Sequence, residues 1–194
     1  MTIFVIDIET TGLNGYTKGD QILEIGIAAI VNNKVKMVYE STICPERPEE
    51  ITGNEWVFTH TSLTKEQVFN SPYIEDVRDE VISIVEGQLV TSYNTEFDFT
   101  WFLDPAWKLN QHYAGIAFDI RKIASTQIFD MAARGLLRKS NYQFVKKKFL
   151  YDKATISAED AYNILCMPTG ISVEQHHRAG SDALREAEIL KALL

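Results

Sequence analysis

The sequence predicts an α/β fold, a mixed β-sheet with helices packed against it. Three observations predict it. Residues 2–43 hold three strand-like runs in succession, the rest of the chain alternates helical patterns with one or two further strands, and 194 residues suit a single core.

Residues 2–8 are nearly continuous apolar and β-branched, the pattern of a strand covered on both faces. Residues 22–31 repeat it, and residues 34–43 alternate more clearly, with Asn32-Asn33 as the hairpin turn between them. Residues 44–63 read as loop, punctuated by Pro45, Pro48 and Gly53. A helix starts near Thr64, whose spacing to Gln67 is that of a capping box. Ser71-Pro72 reads as an N-cap followed by proline at the first helical position. Ile74, Val77, Val81, Ile84 and Val85 then recur at helical intervals, and Gly87 ends the run.

Residues 88–93 predict a short strand and residues 96–103 a helix rich in aromatics. Between 104 and 152 the clearest expectation is a helix over 129–137. Ser157 caps a helix to residue 165, and the last helix runs through Leu184, Ala187, Ile189 and Leu190.

A composition of 45% hydrophobic and 24% charged residues is that of a soluble globular protein and excludes a disordered chain. The apolar stretch at 25–31 is far too short to span a membrane, and no secretory signal opens the chain, so a cytoplasmic protein without a membrane partner is expected. Cys44 and Cys166 form no CxxC pair. They give no support to a zinc site, and reduced thiols are the expectation.

A formal net charge of −8 argues against a nucleic-acid partner. Two features weaken the objection. Carboxylates that bind cations do not count at full charge, and residues 131–151 carry Arg134, Arg138, Lys139, Lys146, Lys147 and Lys148 with no acid among them. That stripe is either a guide for a phosphate backbone or a solvated helix face.

Three short segments carry chemistry. Asp7 and Glu9, two apart on a strand, project from the same face. Side by side they repel, so one takes up a proton or a hard cation such as Mg²⁺ holds both ionised. Thr10, Thr11 and Gly12 form a small turn beside them that brings backbone N–H groups near a phosphate or sugar. Asn94 and Asp98 are one helical turn apart at the start of a helix, where an acid is also good electrostatics without any function. His177 and Asp182 flank Gly180 where the last helix begins, and a histidine there suits a general base.

Together the phrases FVIDIETTG, YNTEFDFTWF and HHRAGSDA resemble the DEDDh (DnaQ-like) 3′→5′ exonucleases, the family of the bacterial proofreading subunit, ribonuclease T and oligoribonuclease. The segments ILEIGIAAI, IFDMAARGLL and LCMPTGI extend the likeness over almost the whole chain.

The resemblance implies a ribonuclease-H-like mixed five-stranded sheet flanked by helices, in a single exonuclease domain over 1–194. It implies hydrolysis of terminal phosphodiester bonds of DNA or RNA with two divalent ions, Mg²⁺ or Mn²⁺, about 3.5–4 Å apart, and release of 5′-mononucleotides. Carried over by residue, Asp7 bridges both ions and Glu9 and Asp182 help hold the water-activating one. Asp98 supports the second, and His177, rather than the adjacent His176, takes the proton. Thr10, Thr11, Gly12 and Leu13 cradle the terminal nucleotide, and Asn94 supports the site.

Many relatives carry a His-Gly-Ile-Thr-like phrase. Here it is His60-Thr61-Ser62-Leu63-Thr64, with His60 one position out of register and Trp56 and Phe58 nearby as candidate base-stacking or packing residues. The apolar face of the last helix serves a homodimer interface or packs on the sheet. Association with a polymerase follows from the likeness to proofreading subunits. The competing function is a non-catalytic nucleic-acid-binding or polymerase-accessory module of the same fold, against which the complete set of four carboxylates and one histidine argues.

Overall fold

In the computed structural model, which describes residues 2–151, 155–167 and 177–194, the strands run β1 (Ile3–Thr10), β2 (Ile22–Val31), β3 (Lys34–Thr42), β4 (Leu89–Ser92) and β5 (Gly115–Asp119). They form one sheet in the order β3-β2-β1-β4-β5. β1 pairs antiparallel with β2 and parallel with β4. β2 pairs antiparallel with β3, and β4 pairs parallel with β5. The expected mixed five-stranded sheet is present, with β1 at its centre.

The helices are α1 (Trp56–His60), α2 (Lys65–Phe69), α3 (Ile74–Val85), α4 (Asp104–Trp107), α5 (Ile120–Ala133), α6 (Lys139–Tyr151), α7 (Ala158–Leu165) and α8 (Ala179–Leu193). A π-helical segment, Glu96–Leu103, leads into α4.

Alternation along the strands sorts the core into two layers. Ile6, Ile8, Ile25 and Ile27 pack on one face with Val77, Val81 and Val85 of α3 and with Phe99, Phe102 and Leu103 of the π-helical segment. Ile3, Val5, Ala28 and Ile30 pack on the other with Ala124 and Ile128 of α5 and Ala183, Ala187 and Leu190 of α8. Both faces of β2 are therefore covered, which is why its sequence is apolar throughout except at Glu24. Small residues let α8 lie close to the sheet. At Gly26 of β2 any side chain would overlap the Ala179 carbonyl, so only glycine permits that approach.

Several boundaries depart from the sequence reading. Both hairpin residues adopt positive φ, Asn32 at 51° and Asn33 at 60°, as a tight type I′-like turn requires. Thr64 and Gln67 form the predicted capping box, and Ser157 accepts a hydrogen bond from the Asp160 amide. The next helix start is displaced. Tyr73, not Ser71, is the N-cap of α3, and the Ser71 hydroxyl instead donates to the Gln67 carbonyl at 2.7 Å. The segment 44–63, expected as loop, contains α1. The helix expected over 129–137 is interrupted: α5 ends at Ala133, and Gly135 turns the chain with φ 69°. β5 and the long α5 occupy the stretch that gave the weakest pattern.

Cys44 and Cys166 are free thiols. Arg134, Arg138, Lys139, Lys146 and Lys147 lie exposed around α6, although Arg134 is paired with Asp130 at 3.1 Å. Among the described residues, no helix is long and apolar enough to cross a membrane. His176 and residues 168–171 of the LCMPTGI segment lie outside the described residues.

Candidate functional site

The row that begins with Ile3 and Val5 under α8 continues with Asp7 and Glu9, because side chains two apart share a face. Their cross-strand partners on β2 are Gly26 and Glu24. The first turn of α8 passes over this point and supplies Asp182, and Glu186 follows one turn later on the same helix face. Both acids are buried, at 2% and 3% exposure. Glu9, His177 and Asp182 each offer a ligand atom, and these atoms lie within 4.8 Å of one another.

Asp98 comes from the other flank of β1. β4 ends at Ser92, the chain turns, and the Phe97 and Asp98 amides donate to the Asn94 carbonyl at 2.9 and 3.2 Å. Asp98 is thereby held at 3% exposure in the wide π-helical turn, a conformation frequent at functional sites. Asn94 does not face the cleft described below. Its Oδ1 accepts from Arg121 Nη2 at 2.8 Å, and it is not among the residues that line that cleft.

Crowding these acids has a clear electrostatic effect. Burial pushes Asp7 well above the usual carboxylate range, and the charges of Glu186, Asp98, Glu9 and Asp182 add to it. Burial, then Asp182, then Glu24 and Asp98, raise Glu9 to about 8, while Arg178 pulls it back. Burial raises Asp98 to about 7, partly offset by Ser92 and by the main chain at Asp98 and Ile8. Such a group either binds protons or is neutralised by a cation. Carboxylate oxygens with one imidazole are a donor set suited to a hard divalent ion.

His177 stands just ahead of α8 with φ 47°, in the left-handed region. Its neighbour Arg178 is anchored. Arg178 Nε donates to both Glu24 oxygens at 2.9 and 3.0 Å, and Nη2 to Oε1 at 2.5 Å. Glu24 Oε2 also accepts the Ala179 amide at 3.1 Å, so this carboxylate caps α8 from a distant strand. His177 is in edge contact with Trp56, ring centroids 5.0 Å apart.

Beside the carboxylates opens a cleft of about 330 Å³ lined by Ile8, Glu9, Thr10, Thr11, Gly12, Leu13, Trp56 and Phe97. The four residues expected to cradle a nucleotide are thus brought together. Both threonine hydroxyls serve the turn itself. Thr10 donates to the Gly12 carbonyl at 2.7 Å, and Thr11 Oγ1 accepts the Gln21 amide at 2.9 Å. Asp20 accepts the Asn14 and Gly15 amides at 2.6 and 3.2 Å and fills the space where a side chain on Gly12 would lie. Trp56, 52% exposed, is a wall of the cleft. His60 reaches the cleft only through Trp56, on which it stacks at 4.8 Å, and Phe58 packs on Leu23, Val57, Leu63 and Val68.

Sequence reasoning missed three residues. Glu24 and Glu186 each interrupt an apolar row, in ILEIGIAAI and along α8, and that interruption was a readable signal of a satisfied buried charge. Arg178 could be assigned only once its partner was known.

Comparison with known proteins agrees with this fold. The chain is 26% identical over 190 residues to the PolC-type DNA polymerase III of Caldanaerobacter subterraneus subsp. tengcongensis, covering 98% of this chain and 11% of that protein. It is 25% identical over 190 residues to the 3′-5′ exonuclease DinG of Staphylococcus aureus, covering 97% of this chain and 18% of the relative. The chain thus spans less than a fifth of the length of either relative. Among solved structures, exonuclease X in complex with 5′ overhanging duplex DNA shares the fold, with a TM-score of 0.57 at 19% identity, covering 98% of this chain and 90% of that one. A family model described as Exonuclease (RNase T) matches residues 4–190. The chain belongs to the RNase T-type exonuclease family.

Proposed function

We propose that this chain is a metal-dependent 3′→5′ exonuclease domain that removes 5′-mononucleotides from the end of a DNA or RNA strand. One observation carries the reading: Glu9, Asp182 and His177 converge within 4.8 Å beside Asp7, at the mouth of a cleft sized for one nucleoside. Family membership and relatives described as a 3′-5′ exonuclease support it.

Asp7, Glu9, Asp98 and Asp182 would hold two divalent ions, Mg²⁺ or Mn²⁺, as carboxylate oxygens favour hard cations. Bound there, such ions would lower the pKa of a water and stabilise the leaving oxygen. His177 takes the proton of the attacking water as general base. Its left-handed backbone and the Arg178–Glu24 anchor fix the direction from which it approaches. The main chain of Thr10, Thr11, Gly12 and Leu13 seats the terminal sugar and phosphate, and Trp56 and Phe97 bound the base. The exposed Arg138, Lys139, Lys146 and Lys147 offer a local positive field to the rest of the strand on an otherwise acidic body.

The test is a gel time course on 5′-labelled single-stranded DNA and RNA of equal sequence, with Mg²⁺, Mn²⁺ or EDTA, beside Asp7→Ala. A ladder shortening from the 3′ end, absent in EDTA and in the variant, supports the reading and identifies the preferred strand. A folded, cation-loaded protein that cleaves neither strand points to a binding role instead.

A further inference from the structure

The fifth acid of the site, Glu186, has no counterpart among the residues just assigned. It sits in the buried face of α8 between Ala183 and Ala187, both fully buried, where an apolar residue is the norm. Its Oε2 accepts the Tyr93 main-chain N–H at 3.1 Å. Tyr93 lies one residue past the end of β4, so its amide has left the sheet and needs another acceptor.

The surroundings make this junction rigid. The Tyr93 carbonyl accepts the Arg121 amide at 2.9 Å, and its hydroxyl donates to the Ile156 carbonyl at 2.6 Å. The next residue, Asn94, holds the Asp98 amide at 3.2 Å. One continuous route therefore joins the two flanks of the site. Asp182 is one helical turn from Glu186, Glu186 bonds Tyr93, and Asn94 next to it bonds Asp98. The carboxylates at both ends must keep a fixed separation to share cations across β1.

We propose that Glu186 is a positioning residue, whose hydrogen bond to the Tyr93 amide locks α8 to the end of β4 and so sets the spacing of Asp182 and Asp98. This rests on the reading of those two acids as cation ligands. What matters is the acceptor oxygen rather than the negative charge, so a glutamine serves the tether and an alanine does not.

The experiment compares wild type, Glu186→Gln and Glu186→Ala in the full chain. Mn²⁺ affinity is read from the free-ion EPR signal, Tyr93 amide exchange by NMR, and folding by thermal melting in EDTA. Groups that orient metal ligands typically change affinity by about 10–100-fold. Glu186→Ala is expected to weaken Mn²⁺ binding by about tenfold and to expose the Tyr93 amide to exchange. Glu186→Gln is expected to keep both properties near wild type. Equal losses in the two variants, or no loss in either, overturn the proposal. If the alanine variant does not fold, the glutamine variant decides: loss of Mn²⁺ affinity or of Tyr93 protection overturns it, and retention of both supports it. Wild-type protein that binds no Mn²⁺ would sink the metal reading of the site. The tether then stands or falls on Tyr93 protection alone, retained in Glu186→Gln and lost in Glu186→Ala.

Discussion

Glu24 and Arg178, 154 positions apart, close a bidentate ion pair that anchors the residue following His177, the proposed general base. The Glu24 side chain is 7% exposed and that of Arg178 28%. Breaking a buried pair strands the deeper charge, at roughly 3–5 kcal/mol, and partial exposure of Arg178 favours the low end. Arg178→Ala is therefore expected to lower stability by about 3 kcal/mol in urea denaturation. Displacing His177 should also reduce kcat, on the order of 10²-fold. Glu24→Gln combined with Arg178→Ala should recover part of the stability. A wild-type urea midpoint for Arg178→Ala would show that the pair contributes nothing.

The acid cluster makes stability depend on pH in a stated direction. Glu9 is raised to about 8 and Asp98 to about 7, from 4.5 and 3.8. Between those limits the folded protein binds more protons than the unfolded chain. The contribution is fully present below the unfolded values and is lost as pH rises through 7 and 8. Melting temperature in EDTA should fall from roughly pH 5.5 to 8.5, and added Mg²⁺ should raise it more at the alkaline end. A flat profile in EDTA contradicts the electrostatic picture.

His177→Ala should stay folded and lose turnover by about 10²–10⁴-fold, the usual contribution of a positioned base. His176→Ala should cleave at close to the wild-type rate. Single-turnover kinetics of both variants check the assignment, and reversal of the two outcomes transfers the base to His176.

Gly12 faces the Asp20 carboxylate so closely that a methyl group would lie about 2.5 Å from Oδ1. That carboxylate is tied to the Asn14 and Gly15 amides and has little freedom to yield. Gly12→Ala should distort the turn of the cleft and raise KM by about tenfold or more, with a smaller effect on kcat. Steady-state kinetics on a short oligonucleotide measure it. An unchanged KM would remove this turn from the substrate contacts.

What the sequence made legible follows from what is local. β1 and β2 were readable because strands covered on both faces leave nearly continuous apolar runs, and β3 because its nine residues alternate regularly beyond a turn that Asn32-Asn33 suits. β5 was not, since five residues at the sheet edge alternate between half-buried and exposed. α1 is too short at five residues to display a period. The Phe129–Leu137 apolar spacing misled, because a left-handed Gly135 breaks the chain there. Asp7, Glu9, Asp98, His177 and Asp182 each sit in a short phrase whose neighbours explain their placement. Glu24, Arg178 and Glu186 act through partners that only the topology supplies.

The position of α8 orders events in time as well as in space. Asp7 and Glu9 on β1 are made well before α8, the helix that brings Asp182 over them. Until α8 is made, those two carboxylates stand on the strand without the acid that opposes them in the folded chain. On the proposed reading the cation site is complete only once α8 closes onto Gly26, so a chain cut short before α8 is expected to be inert toward nucleic acids.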